Sequence, residues 1–241
     1  MKLVFVLLLA PAILLVSSCT YISGKRIKGD GNVITQIRSI SGFTSIDAGG
    51  SADIYVTQDS VFSVKVEVDN NLQEYIEVYK EGNVLNIHQQ NNTNLDATGK
   101  IKVYITAPFF EKMNVSGACN IIGQNSITSS NTISINVSGA GKVEMSVNAP
   151  KVSADMSGAC TVILKGETKN FEADGSGSTD IKCFGLMAEN TKVDLSGAGD
   201  AEVFASVTLD VNVSGAADVR YKGNPSVNQK ISGAGSVKKV E

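Results

Sequence analysis

Ser138-Gly139-Ala140-Gly141 is a four-residue motif that recurs unchanged at Ser196–Gly199 and at Ser232–Gly235. Close variants of this motif begin at four further serines: Ser116, Ser157, Ser176 and Ser214. Along the chain, the successive motif serines are separated by 22, 19, 19, 20, 18 and 18 residues. A nearly constant period of this length is typical of proteins built from stacked structural repeats.

The residues around each motif serine alternate between apolar and polar side chains. Five positions after the serines stand apolar residues: Ile121, Val143, Val162, Ile181, Ala201, Val219 and Val237. Two positions before the serines stand amides, acids and one lysine, here named the acid–amide column: Asn114, Asn136, Asp155, Asp174, Asp194, Asn212 and Lys230. Alternation with a period of two indicates β-strands that bury one face.

We therefore predict that each motif is a sharp bend in an extended chain and that each repeat forms one coil. Glycine at the bend would avoid a side chain where the backbone crowds the interior. The predicted fold is an all-β, parallel β-helix-like solenoid of about seven motif coils over residues 109–241, with the coils stacked about 4.8 Å apart. A β-sandwich with glycine-rich turns is the alternative, but a sandwich would not need the same motif in every repeat.

Residues 33–108 are predicted to form a less regular β region that caps the N-terminal end of a domain spanning residues 33–240. Gly49–Ile54 looks like a degenerate copy of the motif, 67 residues before the copy at Ser116. We therefore expect the N-terminal region to begin with a solenoid coil that a meander interrupts. At the other end, Lys239 occupies an offset that is inward in earlier repeats, and its charge should discourage further stacking.

The N-terminus predicts export and lipidation. Leu3–Val16 is apolar, too short for a comfortable membrane span, and followed by small residues, which indicates a signal peptide over residues 1–18. Val16-Ser17-Ser18-Cys19 resembles a bacterial lipobox, so Cys19 is predicted to become the acylated start of a tether over residues 19–32. The alternative is an ordinary signal peptide followed by a chance cysteine.

Composition narrows the functional class. The 241 residues carry 21 basic and 24 acidic side chains, and no basic run points to a nucleic-acid partner. Aromatic residues make up 6% of the chain and tryptophan is absent, so stacking platforms for sugars or bases are scarce. No sequence motif indicates a bound cofactor, and none is predicted.

Neither the serines nor the acids form a clear catalytic pattern. A serine nucleophile needs a base beside it, and the only histidine, His88, is far from every motif in the sequence. Two runs of acids recur at fixed offsets: Asp155, Asp174 and Asp194, and Asp180, Asp200 and Asp218. A solvated face tolerates such runs, although stacked acids could also pair for glycoside hydrolysis or bind calcium. We predict neither a catalytic nor a metal site.

Three cysteines remain after the predicted processing: Cys119, Cys160 and Cys183. Cys119 and Cys160 share an inward offset but lie two coils apart, or roughly 9.6 Å, which is beyond the reach of a disulfide. Cys183 belongs to a different inward offset. We therefore predict buried free thiols.

A set of further stretches carries a resemblance to one known family. They are Gly42-Phe43, Ile46-Asp47, Gly50–Val56 and Val103–Pro108, followed by the serial motifs. Over about residues 33–240 the chain resembles the auto-transporter adhesin head GIN domain family, whose members are secreted or lipid-anchored. This resemblance implies a β-helix-like solenoid and a role in adhesion. The chain departs from the pattern at Ser176–Thr179, where the third and fourth motif residues are polar.

The expected function is that of a non-enzymatic cell-envelope lipoprotein whose solenoid presents a surface for adhesion or assembly, with a glycan or a protein as its ligand. Thr20, next to Cys19, is not the acidic residue that retains enterobacterial lipoproteins at the inner membrane, which favours the outer membrane. One alternative is a carbohydrate-active β-helix enzyme, which an open cleft lined by Asp174, Asp194 and a basic residue would favour. Another is a periplasmic structural or sensing lipoprotein.

Mass spectrometry of the N-terminal peptide from native membranes tests the predicted lipidation. We expect residues 1–18 to be missing and Cys19 to carry more than one acyl chain, because stable anchoring needs more than one. Cys19→Ala should abolish acylation, whereas Ser18→Ala, which keeps a small residue before the cysteine, should preserve it. A mature N-terminus without acyl mass would contradict the prediction.

Overall fold

The computed structural model describes residues 24–241, and the predicted signal peptide and Cys19 lie outside that range. Within it, nearly every segment is a β-strand, and most strands stack in parallel as the coils of a β-solenoid of about seven turns. The solenoid predicted from the motif period is confirmed. Nowhere in residues 24–241 does a helix have the length and hydrophobicity that crossing a bilayer requires.

The strands divide into an irregular N-terminal set and a regular C-terminal set. The first set is β1 (Lys25–Lys28), β2 (Val33–Arg38), β3 (Ser45–Ala48), β4 (Asp53–Gln58), β5 (Ser63–Asp69), β6 (Ile76–Glu81), β7 (Val84–Gln89), β8 (Thr93–Asp96) and β9 (Lys102–Ala107). The second set is β10 (Lys112–Gly117), β11 (Asn120–Thr128), β12 (Ile133–Gly139), β13 (Lys142–Gly158), β14 (Thr161–Phe204), β15 (Thr208–Lys222), β16 (Ser226–Gly233) and β17 (Ser236–Lys239). A 3-10 helix, Asn70–Tyr75, connects β5 to β6.

The motifs of successive coils lie in register. Ser116 pairs with Ser138, and Ser138 pairs with Ser157 in the next coil. The same register continues to the last motif, where Ser214 pairs with Ser232. Because each coil faces its own copy, the residues five positions after the serines form one inward column that is fully buried from Ile121 to Val219, as predicted.

The N-terminal region contains a solenoid coil interrupted by a meander, as the degenerate motif predicted. Val115 pairs with Ala48 and Ile121 pairs with Ile54, so β3 and β4 form the coil beneath the first regular one. In the meander, β7 and β9 add parallel strands beneath β3 and β4. The antiparallel strands β6, β5 and β2 then cover that end.

One segment of the predicted tether is more ordered than its sequence indicated. Within residues 19–32, β1 pairs in parallel with β8, which lies in a polar stretch that carried no strand signal. Ile27 and Leu95 are partly buried against the core, and Arg26 contacts Asp96 at 2.8 Å. These few contacts are enough to hold two short strands together.

The two glycines of the motif have different roles, and only the second has the one predicted. Gly141 is buried, and a Cβ on it would lie 2.6 Å from the Cys119 carbonyl oxygen, so it relieves crowding in the interior as expected. Gly139 is exposed, so it does not relieve crowding in the interior. Its backbone has a φ of 105°, in the region that only glycine adopts readily. The next glycine in the stack, Gly158, would bring a Cβ within 2.5 Å of the Gly139 carbonyl oxygen. The first glycine of the motif is therefore required by its own conformation and by the adjacent coil.

The C-terminal end of the solenoid carries no further coil within the described chain. Strands β16 and β17 pair only with β15, and all residues of β16 are exposed. Lys239 pairs with Tyr221 in the inward column, is exposed, and donates a hydrogen bond to Asn224 at 3.2 Å. A charge at this inward position opposes the burial that another coil would bring.

The three cysteines of the solenoid are buried and free, which confirms the prediction. Burial raises the pKa of the Cys183 thiol to about 12 and raises the pKa values of Cys119 and Cys160 as well. All three thiols are therefore protonated and poorly nucleophilic at neutral pH.

The glycine ladder gives a direct test of the fold. Gly158→Ala should destabilise the protein by about 1–3 kcal/mol, because the new side chain meets both an unfavourable φ and the Gly139 carbonyl. Chemical denaturation monitored by circular dichroism measures the change. The control is Ala159→Ser, at an exposed position of the same bend, which should alter stability by no more than about 0.5 kcal/mol. Equal losses in both variants would contradict the proposed role of the glycine.

Candidate functional site

A long groove follows the motif bends along the solenoid. It has a volume of about 1080 Å³ and extends from Asp47 to Lys230 and Ser232. One wall is the acid–amide column and the other wall is the row of motif serines; we name this cavity the serine groove. The floor consists of the residues between these two rows, such as Val137 and Leu195, whose side chains are buried.

The N-terminal half of the acid–amide column is a chain of hydrogen bonds. Asn136 Nδ2 donates to Asn114 Oδ1 at 2.8 Å, and Asn114 Nδ2 donates to Asp47 Oδ2 at 3.3 Å. Asp47 Oδ1 lies 3.4 Å from His88 Nε2. This half of the wall therefore has fixed side chains that still present oxygen and nitrogen atoms to the groove.

The middle of the column is acidic. Asp155, Asp174 and Asp194 occupy consecutive coils, and only Asp194 has a close cationic partner among the described residues, with Lys192 Nζ at 2.6 Å. Burial, followed by the charges of Asp194 and Asp155, raises the pKa of Asp174 above its ordinary value. Burial also acts to raise the pKa of Asp194, but hydrogen bonds from Lys192 and Asn212 outweigh it and hold that pKa low.

The serines of the other wall are partly engaged with the backbone. Ser116 Oγ donates to the Ala48 carbonyl at 3.3 Å, and Ser138 Oγ donates to the Val115 carbonyl at 3.5 Å. Each bond joins a serine to the preceding coil. The hydroxyl oxygens keep free lone pairs that face the groove.

His88 is not remote from the motifs, although its position in the sequence suggested that it would be. A Cβ on Gly49 would lie 2.7 Å from His88 Nδ1 and 2.9 Å from Ser116 Oγ. The histidine and the motif serine therefore both border this glycine. The stacking of β7 beneath β3 brings this histidine to the N-terminal end of the groove. Ser116 donates to a backbone carbonyl there, so the contact does not form a nucleophile–base pair.

The second run of acids lies outside the groove. Asp180 contacts Lys182 at 3.6 Å, Asp200 contacts Arg220 at 3.5 Å, and Asp218 accepts a hydrogen bond from Ser236 at 2.6 Å. Across residues 24–241, no three acidic, histidine or cysteine side chains converge as a metal site. The two runs look alike in sequence, but only the first lines a cavity.

Sequence reasoning identified the acid–amide column but missed two contributors. Asp47 lines the groove, and Lys192 pairs with Asp194. Asp47 could have been found, because it stands two residues before Gly49 in the degenerate motif. The cleft with Asp174, Asp194 and a basic residue is the arrangement that the enzyme alternative required.

These features define a class of protein: a parallel β-solenoid with a long groove along its bends. The sequence profile of the family described as "Putative auto-transporter adhesin, head GIN domain" matches residues 42–225, and the chain belongs to this family. The earlier resemblance is thereby confirmed. No curated protein is detectably similar in sequence.

Solved structures of similar proteins share the fold. A "putative adhesin" from Bacteroides fragilis superposes with a TM-score of 0.84 at 24% identity, covering 89% of this chain and 100% of that one. A "putative lipid binding protein" from Parabacteroides distasonis gives 0.73 at 27% identity, covering 90% and 100%. A "putative adhesin" from the same species gives 0.71 at 27% identity, with the same coverage.

The raised pKa of Asp174 predicts a pH-dependent change in stability. The folded protein holds a proton on Asp174 more tightly than the unfolded chain does, so the free energy of unfolding falls as pH rises through this pKa. Asp174→Asn should therefore raise the melting temperature at neutral pH by about 1–2 °C. The gain should vanish below about pH 4, where Asp174 is already protonated.

Thermal melts over a pH series measure this effect. The control is Asp180→Asn, which removes a carboxylate outside the groove that contacts Lys182, and which should not raise the melting temperature. A lower melting temperature of Asp174→Asn at neutral pH would show that the carboxylate stabilises the fold.

Proposed function

We propose that this protein is a non-enzymatic adhesin of the cell envelope, anchored in the outer membrane through lipid on Cys19, and that the serine groove holds its ligand. The observation that carries the proposal is the groove itself, which runs past every motif coil with polar groups on both walls. The groove arises wherever the bends stack, so the proposal depends on its lining, in which a row of carboxylates and amides faces a row of hydroxyls along the solenoid.

Two further findings support the proposal. The family description and the names of two of the solved relatives refer to adhesion. The Parabacteroides distasonis relative is instead described as lipid binding. The groove here combines a mostly apolar floor with walls of carboxylates, amides and hydroxyls, and its carboxylates would repel an anionic headgroup. The apolar run before Cys19 provides for export, and the lipid would tether the domain to the membrane surface.

A glycan-cleaving enzyme is the second candidate, favoured by the open groove with Asp174, Asp194 and Lys192. The pKa of Asp174 is raised and that of Asp194 is lowered, as in pairs that divide acid and base roles. However, a row of like charges on stacked strands raises the pKa of its middle member without any catalytic role, so the two pKa directions do not by themselves favour hydrolysis over binding.

A pair of matched variants tests whether the groove is the adhesive site. Beads coated with the full mature domain are applied to surfaces bearing glycans or matrix proteins, and bound beads are counted under flow. Ser176→Arg places a long side chain in the groove and should abolish retention. Ser178→Arg makes the same change two residues away, at an exposed position outside the groove, and should leave retention unchanged.

Equal retention of both variants on every surface that holds the parent protein would remove the groove from the proposal. Release of reducing ends from a retained glycan, lost in Asp174→Asn, would instead establish the enzyme. Melting temperatures of the two arginine variants serve as the control for folding.

A further inference from the structure

We infer that the ligand of the serine groove is an extended polysaccharide that carries free amino groups, bound lengthwise with about one sugar ring per coil. The inference rests on the proposed function and names the chemistry of its ligand. Three properties of the groove lead to it: its period, its donor and acceptor groups, and its charge.

The period of the groove suits a sugar chain better than a peptide. Groove side chains recur once per coil, or about every 4.8 Å, because neighbouring strands are that far apart. A pyranose ring in an extended β-1,4-linked chain advances by nearly the same distance, so each ring can meet one coil. Because successive rings of such a chain turn over, the amino groups of alternate rings would face the acid–amide column and those of the other rings the serine row. An extended peptide places the side chains of one face roughly 6.6 Å apart, and its contacts would fall out of step within two coils.

The groove offers side chains rather than a free strand edge. The strands that form its walls pair with a coil on each side, as Ser138 does with Ser116 and Ser157. A peptide therefore cannot bind here by adding a strand. Recognition then depends on the carboxylate, amide and hydroxyl groups of the walls and on the apolar floor, which includes Val137 and Leu195. The wall groups match the hydroxyl and amino groups along the edges of a sugar chain, and the floor suits the C–H face of a sugar ring.

The charge of the groove selects among polysaccharides. Asp47, Asp155, Asp174 and Asp194 line it, against Lys230 at the far end. Lys192 forms an ion pair with Asp194 and also attracts Asp174, but neither Asp155 nor Asp174 forms an ion pair of its own within residues 24–241. A chain of uronic acids or sulfated sugars would be repelled. An ammonium group placed between these carboxylates would be attracted by each of them.

Calorimetry with three hexasaccharides of the same backbone tests the inference. The probes are 1,4-linked glucosamine, the neutral glucose analogue and the anionic glucuronate analogue, each titrated into the parent domain at low ionic strength. We expect the glucosamine probe to bind most tightly, the glucose probe to bind more weakly, and the glucuronate probe not to bind.

Two double variants separate the groove from the general surface charge. Asp155→Asn with Asp174→Asn removes two groove carboxylates on consecutive coils and should weaken glucosamine binding roughly tenfold. Asp180→Asn with Asp200→Asn removes two carboxylates on consecutive coils outside the groove and should change it little. Equal losses in the two variants would mean non-specific attraction and would overturn the inference.

The result also distinguishes this inference from the proposed function. If no hexasaccharide binds while Ser176→Arg still abolishes bead retention, the groove is adhesive but its ligand is not this polysaccharide. If a lysine-rich peptide binds the groove more tightly than the glucosamine probe, the period argument is wrong. If Ser176→Arg changes neither retention nor hexasaccharide binding, both proposals fail.

Discussion

The close contact between glycines of neighbouring coils is the constraint on which the rest of the structure depends. At each bend, a motif backbone N–H donates to the glycine carbonyl of the coil before it, as Ala159 does to Gly139 at 2.8 Å. This bond leaves no room for a Cβ at the glycine that sits above. Because each glycine supports the next, the bends stack in a straight line and every coil repeats the same register.

The groove follows from that straight line. Since the bends coincide, the side chains that flank them coincide as well, and two polar rows run side by side along the solenoid. The same register that buries Val143 over Ile121 places Asp174 beside Asp155 and Asp194. Core packing and the electrostatics of the groove are therefore coupled, and the like charges are tolerated because the interior columns hold the coils together.

The regular part of this fold could be predicted from the sequence because each coil bonds to a copy of itself. The serine period identifies the equivalent residues of successive coils, and these are the residues that pair. The same holds for the degenerate coil at Gly49–Ile54. The location of a cavity was not predictable in the same way. Asp174 and Asp180 have the same chemistry and period, and only the curvature of the chain at the bend decides which of them lines a groove. The approach of His88 to Ser116 depends on β7, a strand of the N-terminal cap that lies outside the repeat, so the sequence period did not predict it.

A solenoid whose coils stack on equivalent neighbours can change length by whole coils. Insertion or deletion of a repeat of about 18 to 22 residues leaves every remaining pairing intact, because each coil meets an equivalent neighbour. The walls of the groove would lengthen or shorten in the same steps of about 4.8 Å. Duplication of coils would therefore set the length of the polymer that the groove accommodates, without altering the chemistry of any one position.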